Sequence, residues 1–394
     1  MFTVNLGTGY HQQDTSYYCG AAVAQMILHG IGGPFYDQDA LYTSNHNHNT
    51  QAGWYTDPNG LNYTLNALKP GPPTFTNFFV VFTKDTELEG SEKIVYTLWH
   101  YQVPTGTLVY GCGHWVCMVG VSTDVPPAVG SPYSINGFWI NNPWPPTPMP
   151  GPPPPHKDGD ACGGGGVRGV ANEYVVYDPA WKDTYFTGCD VWGVGHPQFV
   201  SVCDPSPPQL GTLEVRRKQP RMGEPIIAPQ EASRRALTGA RAHGLAEDKR
   251  FAAALNRARA RPPILVQRLD LEDSFYYLVP VASRSRISAL LSIDAVEGDF
   301  RGGQVLEGRN TWALPTRKQV EARLLAEPIP LDGELGRLRV RPEALCVYPT
   351  LVWRPCRESR SPYYPFYMVT VGSHQIYVGY DGSVYSHLTD LGRG

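Results

Sequence analysis

Residues 13–27 read QDTSYYCGAAVAQMI, and this stretch determines how the first half of the chain is interpreted. The alanine-rich apolar run that follows the cysteine predicts a helix over residues 19–29. Cys19 then stands in the first turn of that helix, where free N–H groups and the helix dipole stabilise a thiolate. Gln13, six residues earlier, is suitably placed to donate a side-chain N–H to an oxyanion beside the sulfur.

His114 supplies a candidate base for Cys19. It follows two glycines and opens the apolar, strand-like run 114–121, which would fix its position. An imidazole held there can deprotonate a thiol and later protonate a leaving group. The alternatives are structural: a cysteine before an apolar helix is often a small buried hydrophobe, and a lone histidine often has no chemical role.

Asn142 directly follows the next strand-like run, 138–141, and precedes a proline. An Asn or Asp side chain bound to a histidine fixes its tautomer and ring orientation. Asn141 is an alternative, because neighbouring strand residues point to opposite faces. Asp178, which also precedes a proline, is a second alternative, and an Asn-Pro pair is in addition a common turn signal.

The order Gln13, Cys19, His114, Asn142 resembles that of the papain-like cysteine peptidases. The local sequences are most similar to the C39-like branch, which includes bacteriocin-leader-processing peptidases. The similarity rests on Gln13, Cys19-Gly20-Ala21-Ala22, Gly113-His114 and Asn142-Pro143, and it covers roughly residues 5–205. It implies a papain-like fold, a Cys-His-Asn triad with a Gln oxyanion hole, and no cofactor or metal. The branch usually has Asp where this chain has Asn142, which orients a histidine without adding charge.

Composition divides the 394-residue chain into two halves. Residues 1–205 carry a net charge of −10 and are rich in Tyr, Asn, Gly, Pro and Trp, whereas residues 206–394 carry +7 and are rich in Arg, Ala and Leu. This contrast predicts two domains with a boundary near residue 205. The opposite charges suggest that the second domain docks on the first within the chain.

The second half contains an internal similarity. A helical segment followed by an apolar hairpin pattern occurs over about 229–310 and again over about 316–390. This pattern loosely resembles tandem PepSY or cystatin-like modules, in which a helix packs on an antiparallel sheet. The predicted fold class is therefore α+β, with a papain-like domain followed by a duplicated helix-plus-sheet domain.

Two further local predictions concern the first half. Residues 91–101 are predicted to form a helix capped by Ser91, and 107–110, 114–121 and 138–141 to form strands. The Pro/Gly-rich segment 143–166 is predicted to be a loop.

The sequence shows no signal for export, membrane insertion, nucleic-acid binding or zinc binding. No signal peptide or membrane-spanning run is visible, which predicts a cytoplasmic chain without membrane contact, secretion by another route remaining open. The arginines of the second half are scattered, so nucleic acid is not an expected partner. The eight cysteines show no zinc spacing, and once Cys19 is set aside the other seven cannot all pair.

The function predicted from these residues is hydrolysis of a peptide or other amide bond by the Cys19 thiol, with a peptide or protein as substrate. One alternative is an acyltransferase or amidase on the same scaffold. Another is an inert binding protein that acts through its second half. The second half itself could inhibit the first, bind substrate or serve as a scaffold.

Overall fold

The computed structural model describes residues 1–128, 131–144, 170–203, 211–212, 225–283, 286–306, 312–331, 336–341 and 350–394. The predicted domain boundary at residue 205 lies outside these ranges, as does most of the Pro/Gly-rich segment 143–166.

The first half combines helices near the N-terminus with strands that follow them. Its elements are β1 (Phe2–Asn5), α1 (Cys19–Gly30), α2 (Gln38–Asn47), α3 (Pro58–Leu68), β2 (Val80–Lys84), α4 (Glu87–Tyr96), β3 (Thr105–Val109), β4 (His114–Thr123), β5 (Pro132–Tyr133), β6 (Ile135–Asn142), β7 (Val170–Val176) and β8 (Phe199–Cys203). Two π-helical turns, Thr97–Tyr101 and Tyr177–Tyr185, accompany them.

In the described residues of the second half, hairpins predominate. Its elements are β9 (Gly211–Thr212), α5 (Pro229–Ala242), α6 (Lys249–Leu255), β10 (Arg259–Ala260), β11 (Ile264–Arg268), β12 (Phe275–Ser283), β13 (Arg286–Asp294), β14 (Phe300–Val305), α7 (Arg317–Ala326), β15 (Ile329–Pro330), β16 (Arg337–Leu338), β17 (Thr350–Trp353), β18 (Phe366–Val371), β19 (His374–Val378) and β20 (Val384–Tyr385).

One large mixed sheet runs through both halves. Its order is β2-β8-β3-β4-β6-β7-β14-β13-β12-β11-β17-β18-β19-β20, with β1 beside β4 and β10 beside β12. Strands β7 and β14 join the halves, with Gly302 opposite Val175 and Gly303 opposite Tyr174. A Cβ added to Gly302 would lie 2.3 Å from the Tyr174 carbonyl oxygen, so glycine is what permits this approach.

Helix α1 lies against this sheet because most of its side chains are apolar or small, and its one buried polar side chain, Gln25, donates to the Tyr36 carbonyl. The residues from Cys19 to Leu28 are all buried. Gly20 faces the Thr56 side chain so closely that an added Cβ would stand 2.6 Å from it. The predicted helix therefore forms. Glycine is needed after Cys19 because of the close contact with Thr56, whatever the chemical role of Cys19.

Helix α4 differs from its prediction. It begins at Glu87 with Thr86 as its cap, whose side chain accepts from the backbone N–H of Glu89. Ser91 is not a cap, because it is buried within the helix and donates to the Glu87 carboxylate. The regular helix ends at Tyr96, where the π-helical turn takes over.

The α+β class is confirmed, since helices and a large mixed sheet occur together. In the second half β12 pairs with β13 and β18 with β19, each as an antiparallel hairpin. Strands β11 and β17, which precede these hairpins, lie side by side in parallel. Among the described residues, none of the helices combines the length and apolar character that crossing a membrane requires.

Candidate active site

Cys19 is the first residue of α1 and is only 1% exposed. Backbone N–H groups of Trp115, Gly20 and Cys19 itself act on its thiol and favour the thiolate by lowering its pKa. Trp115 is the neighbour of His114 on β4, so the start of the helix and the start of this strand meet at the thiol.

His114 and Asn142 are in direct contact. The His114 Nε2 atom lies 2.8 Å from the Asn142 Oδ1 atom, and both side chains are fully buried. His114 opens β4 and Asn142 ends β6, and these two strands pair antiparallel, which brings the two residues to one end of the sheet. The Trp144 backbone N–H also donates to Asn142 Oδ1 at 3.1 Å, which fixes the orientation of the amide.

The two alternatives to Asn142 lie elsewhere. Asn141 donates to the Thr8 carbonyl at 3.2 Å and accepts from the Asn172 N–H at 2.7 Å. Asp178 accepts from Lys182 at 3.2 Å. Strand alternation explains the choice, because only one of two adjacent asparagines can face His114.

Gln13 is buried near the same end of the sheet. Its backbone N–H donates to the Pro143 carbonyl at 2.8 Å, which ties it to the residue after Asn142. Its side-chain Nε2 donates to the Thr15 carbonyl at 2.6 Å, while its Oε1 has no partner in the described part of the chain. An oxyanion role would require this amide to turn away from Thr15, and that role stays a prediction.

A rigid turn leads into His114. Tyr110, Gly111 and Cys112 all have left-handed backbone angles, between +54° and +62°. A disulfide joins Cys112 to Cys189, 77 residues away, and holds this turn to the loop before β8. Cysteine spacing alone gave no indication of this pair, because it depends on the folded path of the chain.

An arginine from the second half lies at the site, although no sequence pattern predicted it there. Arg360 is 4% exposed, and its Nη1 lies 3.2 Å from His114 Nδ1 while its Nη2 donates to the Ser16 carbonyl at 2.8 Å. Its backbone carbonyl accepts from Asn142 Nδ2 at 2.9 Å and from the Tyr110 hydroxyl at 3.1 Å. Arg360 also interacts with the Cys19 sulfur.

These contacts fix the proton on His114. Arginine has only donors, so the Nδ1 atom that faces Arg360 must be the acceptor. The proton therefore sits on Nε2 and is donated to Asn142, and the imidazole is neutral. In agreement, burial and then the Arg360 charge hold the pKa of His114 well below its usual range.

The thiol is likewise kept neutral. Burial raises the pKa of Cys19 above its ordinary value, and the Arg360 charge and nearby backbone N–H groups oppose this rise without overcoming it. The sequence suggested a thiolate at the helix N-terminus, but desolvation outweighs the dipole when the sulfur is out of contact with water. Both groups of the candidate nucleophile–base pair are thus enclosed and uncharged.

Arg360 itself has no carboxylate partner among the residues that the structure describes. Its Nε atom is buried without an acceptor. A guanidinium so placed is costly, because desolvation is compensated only by neutral groups. No feature of the sequence around residue 360 distinguishes this arginine from the many others in the second half.

A second segment from that half also reaches the site. Residues 391–394 lie between Trp54–Thr56 and the turn before His114, and the Gly394 N–H donates to the Cys112 carbonyl at 3.0 Å. Together with Arg360, this segment covers the Cys19 side of the sheet.

A buried carboxyl lies on β7, next to the strand that carries Asn142. Glu173 is fully buried, accepts a hydrogen bond from the Tyr185 hydroxyl, and has its other carboxyl oxygen unpartnered within the described ranges. Burial raises its pKa to about 8. It is therefore protonated at neutral pH.

Comparison of the chain with protein-family models, with curated proteins and with solved structures gives no match.

Proposed function

We propose that this protein is a thiol hydrolase that cleaves a peptide or other amide bond with Cys19, His114 and Asn142. The observation that carries the proposal is the 2.8 Å hydrogen bond between His114 and Asn142, with the Cys19 sulfur held at the backbone of the next residue, Trp115. A nucleophile, a base and a group that orients the base are the three parts that acyl transfer requires.

In the proposed reaction His114 Nδ1 takes the proton of Cys19, and the thiolate attacks the substrate carbonyl. Asn142 keeps the other ring proton on Nε2, so Nδ1 stays available as the base. The protonated histidine then gives its proton to the leaving amine, and water releases the acyl group.

Stabilisation of the tetrahedral oxyanion is assigned to groups at the helix start. The Cys19 backbone N–H is free of an intrahelical partner there and lies beside the sulfur. The Gln13 amide is the second proposed donor, after rotation away from Thr15.

Catalysis requires a different arrangement from the one described. The lone pair of His114 Nδ1 is used by Arg360, and neither Cys19 nor His114 is reachable from solvent. We therefore propose that the structure represents a closed form, in which the second half docks on the first and acts as an intramolecular cover. Withdrawal of Arg360 would free both the base and the space for a substrate.

The finer fold assignments are part of this proposal. A papain-like arrangement of the first half is supported by the buried helix α1, whose cysteine end abuts an antiparallel sheet bearing histidine and asparagine. The cystatin- or PepSY-like comparison for the second half is supported by its two helix-then-hairpin units.

The Cys112–Cys189 disulfide bears on location. Such bonds persist in oxidising environments and are rare in the reducing cytosol. We accordingly propose an oxidising compartment rather than the cytoplasm expected from the sequence.

The test uses the purified full chain with an activity-based electrophile and a library of peptide substrates. Cys19→Ala should abolish labelling and hydrolysis together, while Cys117→Ala, at another buried free cysteine, should leave both intact. Hydrolysis that survives in Cys19→Ala would refute the proposal. A Cys19 that stays unreactive even after Arg360 is replaced would favour the inert binding protein, and products that appear only with an added amine would favour an acyltransferase.

A further inference from the structure

Residues Leu391–Gly394 lie in a groove that holds them as a peptide ligand would be held. The Tyr55 N–H donates to the Arg393 carbonyl at 3.2 Å, and the Thr56 N–H donates to the Gly394 carbonyl at 2.7 Å. On the opposite side the Cys112 carbonyl accepts from Gly394. Hydrogen bonds to backbone groups on both sides are the usual way in which an extended peptide is held irrespective of its side chains.

The walls of this groove are attached to the candidate catalytic residues. Cys112 lies two positions before His114, on the disulfide-bonded turn. On the other wall, Thr56 packs against Gly20, the residue after Cys19, and its carbonyl accepts from the Trp115 indole at 2.9 Å. A peptide in the groove is therefore adjacent to the thiol.

The groove discriminates between side chains at two positions. Gly394 has a left-handed φ of +38°, and an added Cβ would lie 2.7 Å from the Thr56 carbonyl oxygen and 2.9 Å from the Trp115 indole nitrogen. Because backbone and a buried ring close this position, only glycine fits without a shift. The Arg393 guanidinium, by contrast, is 5.7 Å above the Trp54 ring, in cation–π contact at the surface.

We propose that this groove is a binding site for an extended peptide in which a basic residue is followed by glycine, and that residues 391–394 fill it as an internal ligand. This inference rests on the proposed function, since it assigns a substrate class to the same site. The net charge of −10 on the first half favours the approach of a basic peptide.

The internal segment competes with any peptide from outside. It is connected to the Arg360 loop, because the Arg357 N–H donates to the Thr389 carbonyl at 2.9 Å and the Thr389 N–H donates to Glu358 at 2.9 Å. Tethering of this kind corresponds to an effective concentration of about millimolar for a short connection. External peptide should therefore bind weakly until the internal segment is displaced.

The experiment measures binding of a fluorescein-labelled, amidated peptide Leu-Thr-Asp-Leu-Gly-Arg-Gly to the full chain carrying Cys19→Ala. Because this variant cannot turn over substrate, binding is separated from catalysis. Adding Gly394→Val, which the closed position rejects, should displace the internal segment and tighten peptide binding at least tenfold. Gly336→Val, at an open surface glycine that also has a positive φ, is the matched control and should change nothing at the groove.

Peptide variants test the selectivity. These peptides are compared on the chain that carries both Cys19→Ala and Gly394→Val. Replacing the last Gly of the peptide by Ala should weaken binding at least tenfold. Replacing its Arg by Glu should weaken binding about two- to fivefold, the range that an exposed cation–π contact supports. Amide exchange at Tyr55 and Thr56 should accelerate in Gly394→Val and slow again when the peptide is added.

The inference would be overturned if the Cys19→Ala, Gly394→Val chain showed no saturable binding of the peptide, or if it bound the Ala-ended peptide as tightly as the Gly-ended one. Unchanged exchange at Tyr55 and Thr56 would do the same. Intact selective binding, together with a chain that keeps Cys19 but carries Gly394→Val and Arg360→Met and still hydrolyses nothing, would refute the proposed function alone. Hydrolysis by Cys19 without preference for basic-Gly peptides would refute only the groove assignment.

Discussion

Replacing Arg360 by Met tests whether the second half closes the candidate active site. Methionine keeps most of the length of the arginine side chain but removes its charge and its donors. The change deletes the hydrogen bonds to His114 Nδ1 and to the Ser16 carbonyl. It leaves the backbone carbonyl of residue 360 bound to Asn142 and Tyr110.

The magnitude follows from those two bonds. At about 1.5 kcal/mol for each bond from a charged donor, the closed form loses about 3 kcal/mol, which is roughly a hundredfold shift toward open forms. The fold itself should persist, because methionine fills most of the same volume and the apolar contacts within each half are unchanged. We expect alkylation of Cys19 by iodoacetamide to accelerate between tenfold and a hundredfold.

The assay is mass spectrometry of alkylated peptides over time at pH 7.5. Cys117 and Cys356 are buried elsewhere and form no disulfide, so they report any general loosening of the fold in the same sample. Arg234→Met, at an exposed arginine on α5, controls for the loss of one positive charge.

Two results would contradict this reasoning. Equal acceleration at Cys19 and Cys117 would mean that the substitution destabilises the whole protein. A slower reaction of Cys19 would mean that Arg360 mainly favours the thiolate, whose formation its charge assists, and that it does not block access. The two roles of Arg360 predict opposite changes in the rate of Cys19 alkylation, so the measurement distinguishes them.

Three further predictions follow from other contacts. Asn142→Ala removes the 2.8 Å bond to His114, so any hydrolysis should fall at least tenfold in kcat, and less at low pH than at high pH, because this bond raises the pKa of His114 and its loss leaves more of the imidazole neutral. The unfolding free energy of the wild type should fall from about pH 4.5 to 8, because over this range the Glu173 carboxyl keeps its proton in the folded state and loses it in the unfolded state. Glu173→Gln should reduce this fall. Urea titrations at pH 5 and pH 8 measure this difference, which is a few kcal/mol at most. Reducing the Cys112–Cys189 bond should lower the melting temperature, with a free-energy loss of about 2–4 kcal/mol, and Cys189→Ser without reductant should reproduce it.

Local sequence patterns were sufficient for the parts of the site that depend on neighbours along the chain. The apolar run after Cys19 forms α1, and strand periodicity brings His114 and Asn142 to one end of the sheet. The alternation of strand faces left Asn141 and Asn142 equivalent, and the register of β4 against β6 decides between them. Such a register is set by packing across the sheet, which a single sequence does not reveal.

The parts of the site that could not be predicted depend on distant segments. Arg360 lies 246 residues from His114, and no periodicity connects them. The pairing of Cys112 with Cys189 and the seating of Gly394 against Thr56 have the same origin. Helix α4 was misplaced for a local reason, since both Thr86 and Ser91 are suitable caps and burial of Ser91 excludes only the second.

The pairing of β7 with β14 has a practical consequence for how the molecule can be divided. A fragment ending near residue 205 would leave β7 with a free edge and a row of backbone donors and acceptors without partners, which is a site for aggregation. The same strands transmit stability across the boundary, so calorimetry of the intact chain should show one cooperative transition instead of two. Point substitutions in the whole protein are therefore the appropriate way to separate the contributions of its halves.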